Sequence, residues 1–140
     1  MRIKDLINTY LFTLNEEDII SNAAEIMNLE KIRHIPIVDR DYKLVGLVTH
    51  RDLISALARK MENFPIKSIM KKEVKAVGPD TPLKGAIEVM ILNKYGCLPV
   101  VESDRKLIGL ITEIDLLKVL YDMSPMPSDF YIKSASKKQA

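Results

Sequence analysis

Thr49 and Asp52 stand three positions apart at the end of the run Val45-Gly46-Leu47-Val48, and Thr112 and Asp115 repeat them after Ile108-Gly109-Leu110-Ile111. A hydroxyl followed three residues later by a carboxylate, directly after an apolar β-prone run, marks the entry into a helix. The Thr oxygen there accepts a first-turn N–H, and the carboxylate complements the positive end of the helix dipole. The same geometry has a second use. A helix start that faces a cleft offers oriented N–H groups and a hydroxyl to a phosphate, and an Asp takes two hydrogen bonds from the vicinal diol of a ribose. Capping and ligand binding do not exclude each other, because capping leaves lone pairs free.

Little else in the chain offers chemistry. His34 and His50 lack Cys or carboxylate partners at metal-ligand spacing. The lone Cys97 excludes an internal disulfide and reads as a small buried apolar residue. There is no glycine-rich phosphate loop ending in Lys and Ser or Thr and no Gly-x-Ser-x-Gly elbow, so no catalytic constellation is visible and an enzyme is not expected. Glu16-Glu17 reads as a solvated turn. Lys71-Lys72 and Lys137-Lys138 are short charge pairs without aromatic interleaving, and with a net charge of +2 they give no concentrated basic stripe for nucleic acid.

The elements that position the two Thr-x-x-Asp joins come from a duplication. Sliding the sequence by 63 residues lays residues 3–58 on 66–121 without a gap, and 18 of the 56 pairs are identical, too many over that length for chance. A period near 60 is also too long for the common solenoid units. Each unit is of marginal size alone, so the two are expected to share an interface. The first unit, with a short lead-in helix carrying Ile3, Leu6 and Ile7, spans 1–60; a linker at 61–65 ends in Pro65; the second spans 66–122, its own lead-in carrying Ile66, Ile69 and Met70. Both lead-ins are expected to pack on the unit that follows them. Residues 123–140, with Pro125, Pro127 and a lysine-rich end, form a polar tail.

Within each unit the order is a first strand (11–14 and 74–77), a helix (19–31 and 82–94), a hairpin of two strands joined by a polar turn (35–38 with 44–48, 98–101 with 107–111), and a second helix (50–60 and 113–122). Asp18 and Thr81 are expected as N-caps, Pro82 as the first helical residue, and Pro36 and Pro99 at the start of their strands. The amphipathic faces Ile20, Ala23, Ala24, Met27 and Leu83, Ala86, Ile87, Met90 belong to the core. The fold class is α+β of the α/β type, two subdomains each with a small three-stranded sheet and helices.

This order, with Pro at the head of the second strand, Gly in the third and Thr-x-x-Asp after it, resembles a CBS domain, and the gapless tandem over residues 3–121 resembles the paired arrangement called a Bateman module. The resemblance implies subdomains packed through their sheets about a pseudo-twofold axis, with two clefts that take adenine nucleotides or adenosyl compounds. Carried over by position, it implies Asp52 and Asp115 on ribose hydroxyls, Thr49 and Thr112 near phosphate, and Leu47 and Leu110 against adenine. The first cleft would be completed by Met70, Tyr95 and Gly96, and the second by Ile7, Ile32 and Arg33. His34 and Cys97, each two before its strand Pro, would face phosphate in the cleft of their own repeat's Asp.

The copies differ where it matters. His50, Arg51 and His34 stand beside Asp52, but Glu113, Ile114 and Cys97 stand beside Asp115. Positive or protonatable groups favour phosphate, so the first cleft is expected to prefer AMP, ADP or ATP, and the second to be weaker, adenosyl-selective or empty. The functional expectation is a regulatory module sensing energy state or adenosyl metabolites, with AMP as the leading ligand, ADP, ATP or S-adenosylmethionine as others, and no catalytic cofactor or metal. A homodimer and an unidentified protein partner are expected. The competing reading is a structural dimerisation or adaptor domain without a nucleotide. No apolar run reaches membrane-spanning length and no signal-peptide core is present, which implies a cytoplasmic protein.

Overall fold

Two antiparallel hairpins carry the structure, a computed structural model describing residues 1–8 and 11–126. The expectations for Thr9 and for the tail beyond Met126 lie outside the described residues. In the first half β1 (His34–Val38) pairs with β2 (Leu44–Thr49); in the second β3 (Cys97–Val101) pairs with β4 (Leu107–Thr112), in matching registers that set Pro36 against Leu47 and Pro99 against Leu110. Helices α1 (Ile20–Glu30) and α3 (Leu83–Asn93) precede the hairpins, and α2 (His50–Ala58) and α4 (Glu113–Met123) follow them. The α+β class and the internal duplication are both present.

The expected third strand of each sheet is reduced to a single parallel bridge, Leu14 with Ile37 and Val77 with Val100. The Leu14 N–H donates to Pro36 O (3.3 Å), and the Val38 N–H donates to Leu14 O (3.0 Å). The next rung would need an N–H from Pro36, which has none, and Pro99 stops the second half in the same way. Both prolines sit in mid-strand, not at the strand start, and they are tolerated there because the missing donor faces the outer edge of the hairpin.

The caps of α1 and α3 also differ from expectation. Neither Asp18 nor Thr81 caps a helix; Ile19 and Pro82 hold the N-cap positions without a side-chain bond, and the Asp18 carboxylate accepts from the Asn15 N–H (2.9 Å). Backbone carbonyls satisfy the helix starts instead: the Ile20 N–H donates to Phe64 O (2.9 Å) and the Leu83 N–H to Met1 O (3.0 Å).

Those carbonyls lie in or just before the lead-in segments, which have changed places. Ile3, in the 3-10 turn Ile3–Asp5, is fully buried among Ala86, Met90, Leu98, Val100 and Ile111 of the second repeat. Ile66, in the turn Ile66–Ser68, is fully buried among Ile20, Met27, Ile35 and Val48 of the first. The Ile3 N–H donates to Thr81 O (2.9 Å) and the Ile66 N–H to Asp18 O (2.7 Å), two bonds related by the duplication. Each lead-in thus packs on the repeat it does not precede. The surface ion pairs Lys4–Asp80 (3.1 Å) and Lys67–Glu17 (2.8 Å) repeat the pattern at small energetic weight.

A pseudo-twofold axis relates the halves, whose sheets meet through Val38, Leu44 and Leu107 and through Leu47, Cys97 and Leu110. The turns are tied by Leu44 N–H to Arg105 O (3.1 Å) and Leu107 N–H to Tyr42 O (3.0 Å). No side chain of α4 is fully buried: Leu116 packs half-buried on the second core, and Leu117 and Leu120 are 56% and 60% exposed. No helix among the described residues is long and apolar enough to cross a membrane.

Candidate nucleotide-binding clefts

The joins after β2 and β4 are capping boxes, as their spacing requires. Thr49 Oγ1 accepts from the Asp52 N–H (3.3 Å), and Asp52 Oδ2 accepts from the Thr49 N–H (3.0 Å). In the second copy the same bonds measure 3.4 and 2.8 Å. Each box contributes about 1 kcal/mol to its helix. One difference separates the copies: the Thr112 hydroxyl also donates to Asp115 Oδ2 (3.1 Å), whereas the Thr49 hydroxyl keeps its proton for another acceptor.

Gly46 and Gly109 bring the exchanged lead-ins against these joins. A Cβ on Gly46 would lie 2.6 Å from Met70 Sδ, and one on Gly109 would lie 2.9 Å from Ile7 Cβ. The missing side chain makes room for that approach, and it lets Leu47 exchange two backbone bonds with Lys71 (3.0 and 2.9 Å) while the Asn8 N–H reaches Leu110 O (3.4 Å). The lead-in residues after Met70 and Ile7 therefore form one rim of each hollow.

The first hollow, about 710 Å³, holds His34, Leu47, Thr49 and Arg51 from the first repeat with Tyr95 and Gly96 from the second. It extends to Lys71, Glu73 and Lys75 and does not reach Asp52, whose half-buried carboxylate is turned onto its cap. The second, about 590 Å³, holds Leu110, Thr112 and Asp115 with Ile32 and Arg33. Met70 and Ile7 do not line the hollows: they are packed into the cores beneath Gly46 and Gly109. Cys97 is also displaced from its expected place. It lines the first cleft, not the second, and His34 lines both.

Electrostatically the clefts are unequal. Arg33, Arg51, Lys71, Lys75 and Lys94 face the first against two carboxylates, Glu73 and Glu113. Lys31, Arg33 and Lys118 face the second against Glu113 and Asp115. Burial pushes the His34 imidazole below its ordinary pKa; Lys71 and Arg33 act in the same direction and Glu113 opposes them. Burial likewise pushes the Cys97 thiol up to about 12, which keeps it protonated and unreactive at neutral pH. Among the described residues no three His, Cys, Asp or Glu side chains are grouped to hold a metal ion.

Lys71, Lys75 and Lys94 in the first cleft and Lys31 and Lys118 in the second escaped the sequence reading. For Lys31 and Lys94 a signal existed. They are identical in the two copies, and each ends its helix in the left-handed region (φ 58° and 55°), where glycine or asparagine is the ordinary choice. A lysine held there at the rim of a cleft, twice, is a positioned cation. Lys71 and Lys75 carried no such mark, because Asn8 and Phe12 stand at the equivalent positions.

Comparison with known proteins agrees with this geometry. The family model described as the CBS domain matches residues 3–59 and again 66–122. A putative acetoin utilization protein (AcuB) from Vibrio cholerae is similar over 88% of this chain and 93% of its own, at 33% identity and a TM-score of 0.82. The CBS domain pair of protein MJ0100, solved with 5'-methylthioadenosine and S-adenosyl-L-methionine, is similar over 89% of this chain and 98% of its own, at 29% identity and a TM-score of 0.82. A homoserine O-acetyltransferase of Methanohalobium evestigatum is 36% identical over 118 residues, which are 84% of this chain but 24% of the enzyme, so the chain spans only about a quarter of that relative. With a CBS domain matched in each of its two repeats and CBS-pair structures superposing on nearly its whole length, the chain belongs to the CBS-domain family as a tandem pair.

Proposed function

We propose that the chain is a regulatory binding module that takes an adenine nucleotide in the first cleft, AMP foremost and ADP or ATP as alternatives, and a less anionic adenosyl ligand in the second. The observation that carries this is the first cleft itself: a capped helix start whose Thr49 hydroxyl proton is free, set among five cationic side chains. The second cleft has fewer cations, a Thr112 proton already taken and Asp115 in its wall, which suit a ribose more than a phosphate. The MJ0100 pair, holding two adenosyl compounds, supports the ligand class. Regulation then requires only that the ligand distinguish two arrangements of the halves.

A thermal-shift screen with AMP, ATP, S-adenosylmethionine and NADH tests the reading, because a ligand confined to the folded state raises the melting temperature. AMP at about a hundred times its dissociation constant should add about 2.7 kcal/mol of stability. If no adenine compound shifts the transition at millimolar concentration, the adaptor reading replaces this one.

A second copy of the chain is the proposed occupant of the exposed apolar faces of α2 and α4. Ile54 and Leu57 on α2 and Leu117 and Leu120 on α4 are positional equivalents, so the duplication presents one apolar stripe twice, and a second copy would offer the same two stripes to an isologous contact. Sedimentation should show a dimer that Leu117→Glu with Leu120→Glu converts to monomer. A wild-type monomer at micromolar concentration would end this proposal. The regulated protein partner is a further expectation of the module reading, to be sought by affinity capture with and without AMP.

A further inference from the structure

Four residues, Arg33, His34, Gly96 and Glu113, line both hollows, so the two clefts meet along a common wall. Burial holds the His34 imidazole below its ordinary pKa, which leaves Arg33 as the one permanent cation in that wall. Its backbone is fixed: the residue stands just before β1, and its carbonyl accepts from the His50 N–H at the start of α2 (2.8 Å). Its side chain is exposed, and among the described residues no hydrogen bond or ion pair holds it. The duplication gives it no twin. Gly96 stands at the equivalent position with the same backbone bond, its carbonyl accepting from the Glu113 N–H (3.1 Å). A Cβ there would lie 3.0 Å from His34 Nε2 and 3.0 Å from Glu113 Oε1, so a side chain would have to displace both.

We propose that Arg33 is a shared arm that meets a phosphoryl group in either cleft but not in both, so that an anionic ligand in one cleft weakens an anionic ligand in the other. This rests on the reading of both hollows as adenine-ligand sites. A guanidinium keeps its charge at any working pH and offers a phosphate two parallel N–H donors, a fork that serves one partner at a time. The first cleft has Arg51, Lys71, Lys75 and Lys94 besides, and the second has Lys31 and Lys118. Phosphate therefore enters the first cleft ahead of the second and takes the arm with it. The second is left with Lys31 and Lys118 against Glu113 and Asp115, and favours a ligand of less negative charge. Glu113 lines both clefts and opposes an anion in either, so it does not choose between them.

The test is a titration of the isotope-labelled full chain with AMP, and separately with adenosine, in which the Thr49 and Thr112 amide resonances report the two clefts independently. Lys71→Ala with Lys75→Ala removes two exposed cations from the first cleft alone. AMP should then bind more weakly at Thr49 and about fivefold more tightly at Thr112, because the arm is no longer drawn away. Adenosine, without a phosphate, should bind at Thr112 as before. In an Arg33→Gln background the same lysine changes should leave AMP at Thr112 unaltered, and Arg33→Met serves if that variant melts abnormally. No tightening at Thr112 in the lysine variant overturns the sharing. So does a tightening that persists without Arg33, which would mean bare repulsion between phosphates, or an equal tightening of adenosine, which would mean a change of shape. An unaltered AMP response at Thr49 in the lysine variant removes phosphate from the first cleft and the sharing with it. A wild-type chain in which neither amide responds to AMP or adenosine removes the adenine reading itself.

Discussion

Replacing Ile66 with alanine is expected to destabilise the protein by about 2–5 kcal/mol and to open the first repeat, although Ile66 lies in the second repeat by sequence. The side chain is fully buried among α1, β1 and β2, and removing three carbons from such a site costs the lost transfer energy plus a cavity term. Its turn also supplies the partners that hold the start of α1: the Ile66 N–H donates to Asp18 O and the neighbouring Phe64 O accepts from the Ile20 N–H. Against a domain stability of about 5–15 kcal/mol the loss is large, and the melting temperature should fall by on the order of 10 °C. Hydrogen exchange locates the effect: protection should drop first in α1, β1 and α2. Ile3→Ala, the equivalent change, should loosen α3 and β3 instead. Loss of protection in the second repeat on changing Ile66 would contradict the exchange of lead-in segments.

That exchange was not legible in the apolar pattern, and the reason is symmetry; only the family resemblance, which set Met70 beside Asp52 and Ile7 beside Asp115, pointed to it. Ile3 with Leu6 and Ile66 with Ile69 carry the same apolar pattern, and a pattern repeated without a gap is equally satisfied whether each lead-in packs on its own repeat or on the other. What decides is chain geometry, namely the close approach over Gly46 and Gly109 that the linker permits. The features that were legible are local ones. The capping boxes follow from Thr-x-x-Asp alone, since both partners lie within one helical turn, and the hairpins follow from apolar runs separated by a short polar turn. The third strands failed at a point where the sequence did contain the information: a parallel rung needs the N–H that Pro36 and Pro99 lack. The site was half legible. Thr49, Arg51, Tyr95 and Gly96 line their cleft, but Asp52 is turned to its cap and Met70 is buried, because burial depth beneath a glycine has no signature in residue spacing.

Arg51 and Ile114 occupy the same position in the two copies, the second residue of the helix after the capping threonine, and exchanging their character should exchange the behaviour of the clefts. Arg51→Ala removes an exposed guanidinium from the start of α2. A hydrogen bond to a charged partner is worth about 1.5–3 kcal/mol, so AMP should bind this variant about 10- to 100-fold more weakly, with adenosine affected far less because it has no phosphate. Ile114→Arg places a guanidinium at the equivalent point of the second cleft, where Ile114 is 58% exposed and the longer side chain meets no core. The gain there should be smaller, about fivefold, because Glu113 and Asp115 still face the hollow and the Thr112 hydroxyl still donates to Asp115 rather than to a phosphate. Calorimetry with AMP should accordingly show one tight site in the wild type, none in Arg51→Ala, and a second, weaker site appearing in Ile114→Arg. Equal responses of AMP and adenosine to Arg51→Ala would mean that the cations of the first cleft do not meet phosphate, and that the inequality of the clefts has another origin.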